Sequence, residues 1–376
     1  MRYIQVALNA HVCGMKLHQL TSPEKRLKIL YAIQATGNGH ISRANEILPL
    51  LETLASVDVL LSGSQANVSL NHPVKYKCKG LSFVFGKKGG VDFLETFRQL
   101  KTKRFLKELK NLPVNKYDLV INDFEPLSAW ACKMQKLPCI SLSHQYAVVG
   151  KNAPLPKKFD PLAWFLLRYY APCDQGVGFH FKQYDKGNFT PVIRSEIRNA
   201  YVRNLGHYTV YLPAYSDKKI IKILSEHSTI RWQIFSSQSS ENYAEGNCWV
   251  RPINNHDFIS SFSTAEGILC GAGFETPAEA LYMQKKLMVV PMKNQYEQHC
   301  NAAALAEMGV SILKKLSAKS SKAISHWLAA DRNLVVEYPD QTLECLYEVL
   351  RLASPGKQSG YAKNLIPTPN SQRFAV

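Results

Sequence analysis

Two glycine-rich loops hold the residues that could do chemistry. The first reads Ala35-Thr36-Gly37-Asn38-Gly39-His40-Ile41-Ser42-Arg43. The second opens GAGFETPAEAL at Gly271, continues through VVPM and ends NQYEQHCN at Asn301. A glycine loop feeding a helix N-terminus presents unpaired N–H groups and a partial positive charge, which suits a phosphate. Histidine exchanges its proton near neutral pH, so His40 is the candidate general base. A carboxylate could orient its ring and favour the cation that forms. Asp123 is the candidate for that role, at the end of the apolar run from Asp118. Glu125 follows two residues on, and His144 ends the next such run after Ser143.

Glu279 stands three residues past Thr276, with Pro277 between them. That pattern predicts a capping box, with Thr276 as N-cap and Pro277 at the first helical position. Capping alone would account for Glu279, and helix-start propensity for Gln298 and Asn301. Capping does not require the order and spacing of all these residues together. GAGFETPAEAL, then VVPM, then NQYEQHCNA resembles the donor-sugar motif of two-domain (GT-B) glycosyltransferases. The likeness is to the family 28 type, which adds N-acetylglucosamine to a lipid-linked peptidoglycan precursor. It implies that Glu279 holds the ribose of a nucleotide sugar, and that Glu297 and Gln298 hold sugar hydroxyls, with Asn301 in the same cluster. It also implies that Gly271, Ala272, Gly273, Phe274, Glu275 and Thr276 lie against the diphosphate. The first loop is similar to the GGTGGH-like loop of the same enzymes. His40 matches its histidine, and Gly37, Asn38, Gly39, Glu125 and His144 would face the acceptor side of the cleft.

These loops need parallel strands to aim them, because ligands bind at the carboxyl edge of a parallel sheet. Short apolar runs supply candidates at 27–34, 57–62, 82–85, 118–122, 139–143 and 174–181, then at 208–213, 232–236, 248–252, 267–270 and 287–291. A helix is expected over Trp164–Tyr170, where this architecture meets its acceptor. The expected fold class is α/β, with two Rossmann-like parallel-sheet domains facing a cleft. Residues 1–26 read as a dispensable leader, with Met15 an alternative start. Residues 27–195 form the acceptor-side domain, 196–206 the linker, 207–353 the nucleotide-sugar domain and 354–376 a loose tail. One departure from the resemblance stands out. Tyr215 and Ser216 replace the glycine-rich turn expected after the strand at 208–213.

A chain of 376 residues, 46% hydrophobic and 10% aromatic, is globular and too long for one ordinary core. Lys plus Arg outnumber Asp plus Glu 46 to 29, a net charge of +17, which attracts polyanions and anionic surfaces. Over 91–112 apolar residues recur at helical spacing beside a crowd of Lys and Arg. That is either a solvated basic face or a contact with an anionic membrane surface. Nine scattered cysteines without zinc spacing, and no apolar run of roughly 18 residues, point to a cytoplasmic protein, peripheral on a membrane if that helix docks.

A dinucleotide site is disfavoured, because Ser42 stands at the third glycine of GxGxxG and the following strand ends in Gly63 rather than an acid. The expected activity is inverting transfer of a hexose or N-acetylhexosamine from a UDP sugar to a hydroxyl acceptor. No cofactor is expected, nor a metal, since no Asp-x-Asp site is evident in the second domain. Two alternatives remain. One is a UDP-N-acetylglucosamine 2-epimerase using Asp123, Glu125 and His144. The other is a non-catalytic basic protein for nucleic acid, which lacks a recognition motif.

Overall fold

A computed structural model describes residues 26–63, 68–79, 102–330 and 334–353. The first half runs β1 (Lys28–Gln34), α1 (Asn38–Leu54), β2 (Ser56–Ser62), β3 (Tyr76–Cys78), α2 (Thr102–Asn111), β4 (Leu119–Asp123), α3 (Pro126–Gln135), β5 (Cys139–Ser143), α4 (His144–Val148), α5 (Pro161–Tyr169), β6 (Gln175–Phe179), β7 (Asn188–Phe189) and α6 (Ser195–Arg198). The second runs β8 (His207–Tyr211), α7 (Asp217–Leu224), β9 (Arg231–Ser236), β10 (Tyr243–Glu245), β11 (Cys248–Pro252), α8 (Asn255–Thr264), β12 (Gly267–Gly271), α9 (Glu275–Tyr282), β13 (Lys286–Val290), α10 (Tyr296–Glu307), β14 (Ser311–Ile312), α11 (Ser321–Ala329) and α12 (Thr342–Leu352).

Among the described residues each half builds one seven-stranded sheet, ordered β3-β2-β1-β4-β5-β6-β7 and β10-β11-β9-β8-β12-β13-β14. All pairings are parallel except β10 with β11. The central strands β4 and β5 are buried on both faces, which is why they read as continuous apolar runs rather than alternating ones. Strand order reverses between β1 and β4 and between β8 and β12. Loops diverge at such switch points and leave a crevice at the carboxyl ends. One apolar cluster spans both halves, joining Ile29 and Ile33 of β1 to Ile268 of β12 and Phe274 beyond it. The two sheets therefore share buried surface at the cleft floor.

Several sequence expectations shift. β3, β7, β10 and β14 are strands of two or three residues, too short for a period to register. The strand expected at 82–85, residues 91–101 of the basic segment, and nearly all of the leader and tail lie outside the described residues. Within α2, Leu109 is buried and Leu112 just beyond it is buried too, both in the core beneath β1 and β4. The apolar face of this part of the segment thus meets protein. α12, expected in the second domain, packs back against β5, β6 and α1 of the first, burying Cys345, Leu346 and Val349.

Candidate active site

The site forms where the loop after β1, the ends of β4 and β5, and the loops after β12 and β13 converge. Asp123 closes β4 and is fully buried. Phe124 follows at φ 57°, a left-handed conformation a bulky residue adopts only under constraint. That turn separates two acids with different fates. Glu125 is the N-cap of α3, accepting from the N–H groups of Leu127 and Ser128 at 2.9 and 2.6 Å. Pro126 fills the first helical position, where its missing N–H costs nothing. Burial pushes the Glu125 carboxyl up, and the side chain stays out of the cavity. Glu125, expected at the cleft, is thus engaged by the cap and is not among the residues lining the cavity. Asp123 instead turns back to the first loop.

His40 Nδ1 lies 2.9 Å from Asp123 Oδ1. On the far side of the ring, the Gln145 amide nitrogen is 3.4 Å from His40 Nε2 and donates to Glu297 Oε2 at 3.1 Å. Arg43 Nη2 lies 3.1 Å from the same Nδ1. The tautomer with Nδ1–H donating to the carboxylate leaves the Nε2 lone pair toward Gln145 and the cavity. Burial raises the Asp123 carboxyl, but Arg43 and His40 outweigh it and hold the group below the usual carboxylate range. Arg43 donates to both Asp123 oxygens at 2.7 and 2.8 Å. The Phe124 ring lies nearly parallel to His40, 4° apart at 6.5 Å.

These groups face a cavity of about 180 Å³. Of the sequence-predicted residues, Gly37, Gly39, His40, His144, Gly273, Phe274, Glu275 and Glu297 line it. Leu166, Leu167 and Tyr170, from the stretch expected to meet the acceptor, line it too, and Thr36, Arg43, Phe124, Gln145, Gln295 and Tyr296 join them from outside the predicted site residues. Asn38 at the start of α1, Gly271 at the end of β12, Ala272 after it and Thr276 in α9 lie off the cavity wall. Asn301 is buried behind the wall, its Oδ1 2.8 Å from His144 Nε2 and its amide nitrogen donating to the Ala272 carbonyl at 3.2 Å. Gln298 folds back on its own loop, accepting from the Met292 N–H at 2.9 Å. Gln295 caps α10 by accepting from the Gln298 N–H.

The second loop differs most from expectation. α9 starts at Glu275, with Phe274 as N-cap and no side-chain cap bond, so the capping box centred on Thr276 does not form. The helix simply begins earlier, which places Pro277 inside its first turn. Freed from capping, Glu279 is buried and held by Arg194, whose Nε and Nη2 donate to its two oxygens at 2.6 and 2.8 Å. Burial raises the Glu279 carboxyl against the pull of Arg194. Glu279 thus faces the segment joining the two sheets, not the cavity. Ser216, at the N-cap of α7, makes no side-chain cap bond either.

The two halves touch across the cavity. The His144 ring stacks on Phe274 at 3.7 Å and 7°, and burial lowers its pKa although Glu297 opposes that. Arg43 Nη1 donates to Glu275 Oε1 at 2.5 Å. On the outer side, Asp160 caps α5 by accepting from the Ala163 N–H at 3.0 Å, with Pro161 next. Leu166 and Leu167 of α5 and the following Tyr170 form an apolar wall. Leu162, Phe165 and Tyr169 continue that helix outward, 64%, 54% and 47% exposed.

Residues 27–330 match the family described as Glycosyl transferase family 1. The chain belongs to glycosyl transferase family 1. No curated protein sequence matches it. Among solved structures it is similar to Phytolacca americana UGT2 complexed with UDP-2fluoro-glucose and pterostilbene, with 12% identity, TM-score 0.55, and 92% of this chain and 98% of that one covered. It is also similar to the glycotransferase of kitacinnamycin, with 13% identity, TM-score 0.55, and coverage of 88% and 96%. Acinetobacter baumannii MurG matches with 13% identity, TM-score 0.51, and coverage of 86% and 99%. At such identities the likeness is one of fold. This family 1 chain has the GT-B architecture, two parallel-sheet α/β domains around a cleft, and it is a glycosyltransferase. A non-catalytic role is overturned by that membership.

Proposed function

We propose that the enzyme transfers a hexose or N-acetylhexosamine from a UDP sugar to a hydroxyl acceptor with inversion at the anomeric carbon. The observation that carries this reading is the His40–Asp123 contact, with His40 Nε2 turned to the cavity. Inversion by a single displacement needs a base on the acceptor hydroxyl, charge stabilisation for the leaving diphosphate and alignment of the partners. His40 supplies the base. The loops at Gly37–Gly39 and Gly273–Glu275 supply backbone N–H groups near the leaving group, in place of a metal. Glu297 offers hydroxyl contacts to the sugar. UDP is favoured because the Phytolacca enzyme was solved with a UDP sugar.

The acceptor would carry an apolar part. Leu166, Leu167 and Tyr170 wall the cavity, and the exposed stripe Leu162, Phe165 and Tyr169 extends it outward. A lipid-linked acceptor fits that continuity. Lys157, Lys158 and Arg168 flank the stripe and would favour an anionic membrane surface. Among the described residues no helix is long and apolar enough to cross a membrane, so any contact would be peripheral. The epimerase alternative loses ground, because Glu125 is spent on a cap and His144 is held between Phe179 O and Asn301.

The test is a panel of nucleotide sugars screened by calorimetry, followed by turnover with hydroxyl acceptors and NMR of the product's anomeric configuration. Inverted product from a UDP sugar supports the proposal. Retention, or conversion of the sugar without acceptor, sinks it.

A further inference from the structure

Arg43 stands three residues after His40 on α1 and lines the cavity, yet its side chain is only 2% exposed. A buried guanidinium is costly unless its donors are matched. Here both terminal nitrogens are matched, from two domains, while Nε is buried without a partner among the described residues. Nη2 donates to both oxygens of Asp123 at 2.7 and 2.8 Å. Nη1 donates to Glu275 Oε1 at 2.5 Å, from the first turn of α9 on the other sheet. The Phe179 ring lies against the guanidinium, 5.6 Å from its centroid. Gly39 allows this approach, because a side chain there would overlap the Glu275 carboxylate.

We propose that Arg43 is a positioning residue, which fixes the Asp123 carboxylate behind His40 and, through Glu275, makes that alignment depend on closure of the donor domain. The inference rests on the reading of His40 as the base. A fork of N–H groups on one carboxylate fixes its plane as well as its charge. Asp123 sits between His40 Nδ1 at 2.9 Å and Arg43, and Arg43 Nη2 is itself 3.1 Å from that Nδ1, so the carboxylate and the guanidinium together set where the imidazole points. If the donor domain moves away, Arg43 loses Glu275 and its second anchor, and the clamp on Asp123 loosens. The dyad would thus be fully set when the cleft is closed over the sugar.

Other ionisable groups face this cluster. His40 comes from α1, Tyr31 from β1, Asp123 from β4, Glu275 from α9, and Cys345 from α12. Arg43 is the cation that keeps the buried Asp123 ionised against burial, with His40 second. Without Arg43, burial would dominate and Asp123 would bind a proton at higher pH. A protonated Asp123 no longer enforces the Nδ1–H tautomer of His40. This signature separates positioning from packing.

The experiment compares wild type, Arg43→Met, Arg43→Lys and Glu275→Gln, with His40→Ala in parallel. Three readouts are taken: nucleotide-sugar affinity by calorimetry, kcat against pH, and the His40 ring by 15N NMR. Arg43→Met should keep donor affinity within about threefold and lose about tenfold or more in kcat, a share of the general-base contribution. Its acid limb should move up by about one pH unit or more, with a changed His40 tautomer signal. Arg43→Lys keeps the charge and should restore the acid limb with part of kcat. Glu275→Gln should lower kcat with the acid limb in place. An Arg43→Met enzyme with an unmoved profile and an unchanged His40 signal overturns the proposal, even if kcat falls evenly. Should Arg43→Met fail to fold, wild-type kcat in both Arg43→Lys and Glu275→Gln overturns it. A His40→Ala enzyme at wild-type kcat removes the base reading itself, a result distinct from either.

Discussion

His40 Nδ1 lies 2.9 Å from Asp123 Oδ1, although 83 residues separate them. The contact joins the loop after β1 to the end of β4, neighbouring strands at the switch point of the first sheet. A base and its orienting carboxylate thus come from adjacent strand ends, where the chain can hold both rigidly.

Removal of the base should separate catalysis from binding. His40→Ala is expected to lose at least about a hundredfold in kcat while keeping nucleotide-sugar affinity, since the proposed diphosphate contacts are backbone N–H groups and the proposed sugar contact, Glu297, is on the other half. Asp123→Asn should lose less if the carboxylate only orients the ring. Steady-state kinetics with calorimetry on the same preparations checks this. A His40→Ala enzyme with a raised KM and intact kcat would make His40 a binding residue.

The Glu279 carboxylate now predicts a stability effect. Glu279→Gln leaves Arg194 without its bidentate partner. Breaking a buried pair costs roughly 3–5 kcal/mol. The lower end is expected here, because Arg194 is 18% exposed and keeps Glu196 at 3.8 Å. UDP affinity should stay within about threefold, well inside one charged hydrogen bond's worth. Denaturant melts and UDP titrations of the variant decide it. Weakened UDP binding at unchanged stability would instead restore the ribose role, and would mean that Arg194 lets go when the donor binds.

Acid should reveal the buried dyad. The folded pKa of Asp123 is depressed below an unfolded value of about 3.9. Its ionisation therefore adds stability above that value, and the contribution disappears as pH falls through the folded pKa. Asp123→Asn lacks this term. Between about pH 5 and 2, wild type should lose more stability than the variant. Urea denaturation across that range measures it, and parallel curves would refute the depressed pKa.

The apolar stripe on α5 should matter to the acceptor more than to the fold. Leu162→Ser with Phe165→Ser changes two exposed side chains, so stability should move by about 0.5 kcal/mol or less per site. Sedimentation with anionic vesicles should fall several-fold for the double variant, and added salt should weaken wild-type binding by screening. Wild type that ignores such vesicles at low salt would confine the stripe to the acceptor itself.

The amino-acid sequence by itself determined the longer strands and the two glycine loops, because both signals are local; β3, β7, β10 and β14 were too short to read. Apolar runs of four to eight residues read as buried strands, and glycines ahead of a helix mark a loop that can meet a ligand. It also marked His40 and Asp123 as partners through chemistry alone. The tertiary structure decided the rest. Which acid after β4 faces the cleft depended on the turn at Phe124: capping of α3 took Glu125 and left Asp123 to His40. α9 begins at Glu275, ahead of Thr276, and its first residue meets Arg43 and lies against Gly39 of the other half. Arg43 and Glu275 lie 232 residues apart and meet only because two sheets close on each other. No local period encodes such a pair, nor the return of α12 to the first sheet. Contacts of that kind follow from how whole layers pack, which propensity and spacing within one segment do not specify.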